Sequence, residues 1–347
     1  MVRFDESRIL VKATNWLGDV VMGMPALRAL RRAAPDAYLA VMIRQELASL
    51  FAGARWINEV IPYRHPHGFD RLRSVPGIIA TIRAGRFDWA ILFPSRPESA
   101  LWMFLAHVPR RVGYALHGRG PLLTHKALPS PTVRAGHQVH WYLDLLRQTL
   151  GIEASAADDY GFDIDPAARQ QMDHWLEQRR RRPHARLAAL APAAAYGPAK
   201  EWGAERYAEL IDRLDAAGWE CVVVGAPSER ARCEEVRARS RAGAILAAGD
   251  TSVGEVAALL SLCQGFIGND SGAMHLAAVL GLPTLGIFGS TSPERTAPRG
   301  PRARVLYERI ECSPCLARTC RFGHMNCFRP FTAERVLGVF LSQSPPP

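Results

Sequence analysis

The stretch GFIGNDSGAMHLAAVLGLPTLGIFG (residues 265–289) decides the fold class of this chain. Its two ends, 265–270 and 283–289, are short apolar runs that predict strands. The alanine-rich segment between them predicts a helix, and small polar residues mark the turn at 269–272. A strand, a helix and a second strand in close succession predict a βαβ unit, and therefore a parallel sheet.

The same alternation runs through the rest of the chain and restarts once. The predicted strands are 9–14, 38–44, 57–63, 88–94, 110–115, 187–193, 221–227, 265–270, 283–289 and 303–309. We therefore predict an α/β protein with two doubly wound, Rossmann-like domains facing a central cleft. The domains are 1–164 and 187–347, and a connecting helix and basic linker fill 165–186, with Asp165 as the helix N-cap and Pro166 at its first position. Ligands are expected beyond the carboxyl ends of the strands.

Composition narrows the classes of protein that are compatible with this fold. The chain has 347 residues, of which 48% are hydrophobic and 22% charged, and no apolar run reaches the roughly 18–20 residues of a membrane span. The N-terminus lacks an apolar signal region, so we expect a cytoplasmic protein. The net charge of +10 favours anionic partners, although a solvated arginine-rich surface would give the same value. No segment interleaves basic and aromatic residues like an RNA-binding module, so no nucleic-acid partner is expected.

Two predicted strand-to-helix turns carry charged residues that suit catalysis. The first turn, at 13–19, lacks a GxGxxG fingerprint and places Asp19 near a helix start. Asp19 is either a first-turn carboxylate stabilised by the helix dipole or a general base directed into the cleft. In the second half, Lys200 follows a turn and precedes a helix, where its ammonium group suits a phosphate. The alternative for Lys200 is a solvated lysine in a loop.

The turn after the predicted strand 265–270 combines small and polar residues. Gly272 lets the backbone approach a ligand closely, and the N–H groups of the helix start suit a diphosphate. Asp270 either caps that helix or binds sugar hydroxyls, and His275 is equally consistent with a structural and a catalytic role. Glu229, after the predicted strand 221–227, either accepts hydrogen bonds from a ribose or is an ordinary first-turn glutamate.

Four cysteines cluster near the C-terminus in ECSPCLARTCRFGHMNC (311–327). Their spacing does not match a paired CxxC zinc ribbon. One hypothesis is a structural zinc ion held by the four thiolates, or by three of them and His324; the other is a set of reduced thiols in an irregular loop. The four candidate ligands are Cys312, Cys315, Cys320 and Cys327.

An acidic DxD motif of the kind that some glycosyltransferases use to hold a metal and a diphosphate occurs at Asp163–Asp165. It lies at the predicted start of the connecting helix rather than at a strand end, so we interpret it as capping. We therefore expect no cofactor to be required for catalysis, since Lys200 and the helix start at Gly272 can neutralise a diphosphate without a metal.

Taken in order, the motifs resemble those of the lipopolysaccharide heptosyltransferases, which form glycosyltransferase family 9. The likeness covers nearly the whole chain and is greatest to the heptosyltransferase II branch. Its motifs are VKATNWLGDVVMGMPALRAL (11–30), HQVHWYLDLL (137–146), GPAKEWGAERYAEL (197–210), GAPSE (225–229) and NDSGAMHLAAVLGLP (269–283). The resemblance implies a GT-B fold, with the acceptor in the N-terminal domain and the nucleotide sugar in the C-terminal domain.

The resemblance also implies the substrates and the roles of individual residues. The donor is ADP-heptose and the acceptor is the heptosyl-Kdo inner core on lipid A. Asp19 is implied as the catalytic base and Lys200 as the diphosphate contact. The implied donor-binding residues are Tyr196, Lys200, Glu229, Thr251, Asp270, Ser271, Gly272 and His275. The chain departs from the family at Ala194–Tyr196, where relatives often carry a hydroxyl or acidic residue before the lysine motif.

These roles predict one in-line displacement with inversion at the anomeric carbon. Four arginines near predicted strand ends are candidates to bind the anionic acceptor: Arg44, Arg96, Arg111 and Arg119. The positive charge also predicts peripheral contact with the anionic inner-membrane leaflet. Two rival hypotheses are another sugar-nucleotide enzyme of this fold, either a transferase of a different sugar or an epimerase, and a basic zinc-containing protein that binds nucleic acid.

Overall fold

The computed structural model describes residues 4–65, 68, 71–155 and 160–343. The chain divides into two compact units, Met1–Asp163 and Ile164–Pro347. Each unit contains one six-stranded sheet, and every strand pair is parallel. The predicted α/β class is therefore confirmed.

The first unit has the sheet order β3-β2-β1-β4-β5-β6. Its strands are β1 (Arg8–Lys12), β2 (Tyr38–Arg44), β3 (Glu59–Tyr63), β4 (Trp89–Leu92), β5 (Arg110–Tyr114) and β6 (His125–Ala127). Its helices are α1 (Leu17–Ala33), α2 (Arg71–Ala84), α3 (Pro97–Leu105), α4 (Pro131–Ala135) and α5 (Gln138–Leu150), with 3₁₀ turns at Gln45–Phe51 and Gly120–Leu122. The central strands β1 and β4 have apolar interiors, Ile9–Val11 in β1 and Trp89–Leu92 in β4, because helices cover both faces of a parallel sheet.

The second unit repeats this order as β12-β11-β10-β7-β8-β9. Its strands are β7 (Arg186–Ala191), β8 (Trp219–Val223), β9 (Ile245–Leu246), β10 (Gly265–Asn269), β11 (Thr284–Phe288) and β12 (Ala303–Tyr307). Its helices are α6 (Pro166–Glu177), α7 (Ala204–Ala216), α8 (Arg230–Arg239), α9 (Val253–Ser261), α10 (Gly272–Val279), α11 (Pro293–Thr296) and α12 (Ala333–Leu341), with 3₁₀ turns at Pro198–Lys200, Pro227–Glu229 and Asn326–Phe328.

The sequence predicted ten of these strands and missed β6 and β9. The sequence of β6 is His-Lys-Ala, which lacks an apolar pattern, and β9 pairs over only two residues. Several predicted strands also extended too far at their carboxyl ends; for example, 9–14 is Arg8–Lys12 in the structure. Residues 13 and 14 leave the sheet because the chain turns there into α1.

Local sequence signals fix several helix ends. Asp165 caps α6 by accepting a hydrogen bond from the Ala167 amide, and Pro166 occupies the first helical position, as predicted. The Asp163 carboxylate binds Arg28 at 3.0 Å and the Trp56 indole N–H at 2.8 Å, so both acidic residues of the DxD sequence have structural partners.

No helix in the described part of the chain is both long and apolar enough to cross a bilayer.

Candidate active site

The strand order of the second unit brings distant turns to one edge of its sheet. In a doubly wound sheet, ligands bind where neighbouring strands lead to helices on opposite faces. That position lies between β7 and β10, which pair directly in the sheet order. The turn after β7 carries Lys200 and the turn after β10 carries Asp270. The two candidate residues are 70 positions apart in the sequence and lie side by side.

Lys200 and Asp270 form an ion pair with an Nζ–Oδ2 distance of 2.7 Å. The lysine side chain is 14% exposed and the aspartate side chain 5%. The Thr291 hydroxyl, from the turn after β11, donates to the same Asp270 oxygen at 2.7 Å. A cation and two oxygen-bearing side chains therefore converge at the carboxyl ends of three adjacent strands, with little water to screen them.

Asn269 fixes the turns on either side of this pair and is fully buried. Its side-chain oxygen accepts hydrogen bonds from the Trp202 amide and the Tyr207 hydroxyl, both at 3.1 Å. Its side-chain nitrogen donates to the Pro192 carbonyl at 2.6 Å. Each polar atom of the amide is thus satisfied inside the core, which ties the end of β10 to the segment that carries Lys200.

Helix α10 begins next to Asp270. The Ser271 hydroxyl caps it by accepting from the Met274 amide, and Gly272 is its first residue. His275 is buried, and its Nε2 atom lies 3.9 Å from Asp270 Oδ1. Tyr196 lies on the lysine side of the site: the Lys200 ammonium is 4.9 Å from the ring centre, and the tyrosine hydroxyl donates to the Leu316 carbonyl at 2.7 Å.

Glu229 and Thr251 follow the next two strands along the same edge, β8 and β9. The Glu229 carboxylate accepts a hydrogen bond from the Ala226 amide at 2.7 Å and another from the Ala195 backbone. Burial nevertheless raises the pKa of Glu229 above its usual value. The Thr251 hydroxyl donates to the Ala247 carbonyl at 3.0 Å. The predicted donor-binding residues therefore occupy consecutive turns of one sheet edge.

In the first unit, Asp19 lies in the first turn of α1 and is partly buried. Burial raises the pKa of Tyr142 on α5, and the negative charge of Asp19 raises it further. The strand order again gives a candidate ligand position, here between β1 and β4. Asp19 therefore stands beside the corresponding position of the first sheet.

Sequence reasoning missed Lys12, the last residue of β1. Its side chain is almost completely buried, and its ammonium group donates to the Ala13 carbonyl at 2.6 Å and to Asn15 Oδ1 at 3.3 Å. Tyr63 donates to the same Asn15 oxygen at 2.8 Å. Burial lowers the pKa of Lys12 to about 7, with Glu98 opposing this and Arg44 adding to it. The available signal was a lysine ending the apolar run ILVK.

The four arginines predicted to bind an acceptor lie in different environments in the structure. Arg44 is the last residue of β2 and binds Glu46 at 3.1 Å, whereas Arg96 lies beyond the carboxyl end of β4, just before α3. Arg111 lies near the start of β5, and its guanidinium donates to the carbonyls of Val108 and Leu122. Arg119 is 1% exposed and donates to the carbonyls of Tyr114 and Pro94. Its burial lowers the pKa of Arg119 to about 10.

The four clustered cysteines are free thiols with different environments. Cys327 is buried, Cys315 is exposed, and Cys312 and Cys320 are intermediate. Backbone N–H groups at residues 322–325 lower the pKa of Cys320. Within the described residues, no group of three or more His, Cys, Asp or Glu side chains is arranged to hold a metal ion. Zinc binding by this cluster stays a prediction.

Comparison with known proteins places the chain in a family. The family model described as glycosyltransferase family 9 (heptosyltransferase) matches residues 77–326. The chain belongs to glycosyltransferase family 9. This family 9 enzyme is 28% identical to lipopolysaccharide heptosyltransferase 2 of Escherichia coli K12 over 314 residues, covering 86% of this chain and 87% of that protein. It is 26% identical to lipooligosaccharide heptosyltransferase 2 of Haemophilus influenzae, with 86% and 88% coverage.

Solved structures give the fold of this family 9 glycosyltransferase. The E. coli ADP-heptose heptosyltransferase II structure matches with a TM-score of 0.81 and 24% identity, over 97% of this chain and 99% of that one. A family 9 glycosyltransferase from Veillonella parvula matches with a TM-score of 0.83 and 23% identity, over 99% and 98%. The chain therefore has the predicted GT-B fold.

Proposed function

We propose that this glycosyltransferase transfers L-glycero-D-manno-heptose from ADP-heptose to the heptosyl-Kdo inner core of lipopolysaccharide. The Lys200–Asp270 pair at the ligand position of the second sheet carries the proposal. The curated heptosyltransferases that this chain is similar to support the sugar and the acceptor. A related E. coli heptosyltransferase, solved with ADP-2-deoxy-2-fluoro heptose, supports an ADP-linked donor.

In this proposal, the second unit binds the donor. Lys200 contacts the diphosphate, and the N–H groups at the start of α10, with Ser271, Gly272 and His275, complete the anion site. Asp270 accepts hydrogen bonds from heptose hydroxyls. Glu229 binds the ribose, and Tyr196 and Thr251 flank the nucleotide.

The proposed reaction is a single displacement. Asp19 removes the proton from an acceptor hydroxyl while that oxygen attacks the anomeric carbon. The bond from the anomeric carbon to the diphosphate oxygen breaks, and ADP leaves with the bonding electrons, so the configuration inverts. Lys200 stabilises the charge that gathers on the diphosphate, which is typically a large part of such catalysis. Protein groups carry every step, and we propose that no cofactor is required.

In the first unit, Arg44 and Arg96 are the proposed contacts for acceptor carboxylates and phosphates. Arg119 is buried, and its described contacts hold the turn that carries Arg96, because it also donates to the Arg96 carbonyl at 3.2 Å. We propose that it acts by positioning that turn. Arg111 lies near the amino end of β5, so any contribution to acceptor binding would come from a different edge of the sheet.

ADP release from ADP-heptose, measured with and without a delipidated heptosyl-Kdo acceptor, tests this function. We expect acceptor-dependent release that is unchanged when EDTA is present. ADP binding without release would retain the nucleotide site but reject the proposed sugar or acceptor, and other nucleotide sugars would then be compared. Loss of release in EDTA would reject metal-independent transfer.

A further inference from the structure

Helix α3 presents a row of large apolar side chains to solvent. Leu101 is 43% exposed, Phe104 45% and Leu105 40%. Their spacing of three and four residues places them on one face of the helix. The opposite face is buried through Trp102 and Met103, so α3 is already anchored in the core. The exposed side chains of this row therefore do not contribute to the core packing of this unit.

Two arginines border this row. Arg83, at the end of α2, donates from its guanidinium to the Leu105 carbonyl at 2.7 Å. The Arg111 guanidinium lies 5.4 Å from the centre of the Phe104 ring. Its hydrogen bonds to the Val108 and Leu122 carbonyls hold it there. Positive charges are thus fixed beside the apolar side chains, and neither guanidinium forms a salt bridge with a carboxylate of the described residues.

The surrounding segment contains most of the excess positive charge of the protein. Residues 71–135 include ten lysines and arginines but only two acidic residues, Asp88 and Glu98, whereas the whole chain has a net charge of +10. The basic linker at 179–186 differs, because its three arginines at 180–182 pair with the carboxylates of Asp215 and Glu220. Arg182 pairs with Asp215 at 2.7 Å, for example. Most of the net positive charge of the chain therefore belongs to the sequence segment that contains α3.

We propose that the exposed face of α3, defined by Leu101, Phe104 and Leu105 with Arg83 and Arg111, is a docking surface for an anionic phospholipid bilayer. Apolar side chains on one helix face enter the boundary between headgroups and acyl chains, and the flanking guanidinium groups bind lipid phosphates. An exposed apolar cluster of this kind marks an interaction surface. The basic surroundings select an anionic partner. This surface would hold the enzyme where a lipid-anchored acceptor lies, but its binding to lipid does not depend on the donor or acceptor proposed above.

Vesicle co-sedimentation tests the proposal with the full chain. Vesicles of phosphatidylcholine alone are compared with vesicles that also contain phosphatidylglycerol. We expect binding to the anionic vesicles only, weakened by added salt. The double variant Phe104→Gln/Leu105→Gln should bind at least about tenfold more weakly, because each side chain loses its burial in the membrane. Arg83→Gln should lower binding by about fivefold.

Phe322→Gln is the matched control, because Phe322 is 58% exposed but belongs to the second unit. It should bind vesicles like the wild type. Circular dichroism and ADP binding establish that each variant is folded. Equal vesicle binding by the α3 variants and the wild type would overturn the proposal. So would a wild type that does not bind anionic vesicles, or one that forms a dimer through α3, detected as a change of mass in the double variant by light scattering.

Discussion

The Lys200 ammonium group lies 2.7 Å from the Asp270 carboxylate across the boundary between β7 and β10. The cation proposed to bind the donor diphosphate is thus already paired with the carboxylate proposed to bind the donor sugar. Breaking a buried ion pair by removing one partner leaves an uncompensated charge. The pair therefore links the stability of the second unit to its donor site.

This pairing predicts opposite effects of two substitutions on ADP binding. Lys200→Met should weaken ADP binding by about 10- to 100-fold, because a charged hydrogen bond contributes roughly 1.5–3 kcal/mol. Asp270→Asn should leave ADP affinity unchanged or increase it, since a negative charge beside the diphosphate is removed. The same variant should lower kcat/KM for ADP-heptose. Calorimetric titration with ADP checks the first two values.

The double variant Lys200→Met/Asp270→Asn serves as the control for stability. Each single variant should melt at a lower temperature than the wild type, and the double variant should recover part of that loss. If Asp270→Asn weakened ADP binding as much as Lys200→Met, the carboxylate would have a role in nucleotide binding that this pairing does not explain.

Substitution of Asp19 should reduce turnover without weakening donor binding. Asp19→Asn retains the shape and polarity of the side chain but cannot accept a proton. We expect the rate of acceptor-dependent ADP release to fall by about 10²–10⁴-fold, with ADP affinity unchanged because the nucleotide is proposed to bind the other unit. Turnover at the wild-type rate would remove Asp19 from the mechanism.

A substitution at Gly197 should disturb the donor site through the backbone of the turn that carries Lys200. The φ angle of Gly197 is +149°, and a Cβ atom there would lie 2.5 Å from the Arg318 carbonyl oxygen. The Ala199 amide donates to that same carbonyl at 3.0 Å. Gly197→Ala should therefore displace the turn that carries Lys200 and weaken ADP binding by about tenfold.

Gly338→Ala is the matched control for this backbone effect. Gly338 lies inside α12, and a Cβ atom there meets nothing within 4 Å. That substitution should leave ADP binding unchanged and stabilise the protein by about 0.5–1 kcal/mol. Wild-type ADP affinity in Gly197→Ala would show that the turn accommodates the added methyl group.

The buried Lys12 should make the free energy of unfolding depend on pH. Burial lowers its pKa from 10.5 to about 7, so between these values the unfolded chain binds a proton that the folded chain does not. The free energy of unfolding should therefore rise with pH across this window, by up to about 1.4 kcal/mol per pH unit for one proton. Below pH 7 both states are protonated, and the cost of the buried charge is fully present.

Lys12→Met should remove this dependence. The variant should be more stable than the wild type near pH 7 and should lose that advantage as the pH approaches 10.5. Urea unfolding at several pH values measures the effect, and Lys126→Met, at an exposed lysine, controls for the change in net charge. Parallel pH profiles for the wild type and Lys12→Met would contradict a neutral buried lysine.

The amino-acid sequence by itself determined the α/β class, ten of the twelve strands in the described part of the chain and the helix start at Asp165–Pro166. These features depend on residues close together in the chain, since apolar runs form strands and capping side chains bind amides a few positions away. For the same reason, the sequence identified the turns that carry Asp19, Lys200, Glu229 and Asp270. It did not identify their partners.

Only the tertiary structure decided which turns meet and which charges are buried. Lys200 and Asp270 are neighbours because β10 pairs with β7 rather than with β9, and sheet order is a long-range property. Arg119 and Lys12 are buried and donate hydrogen bonds to backbone carbonyl groups, whereas Leu101 and Phe104 face solvent. Residue type gives the usual environment of a side chain, but the packing of distant segments fixes the actual one.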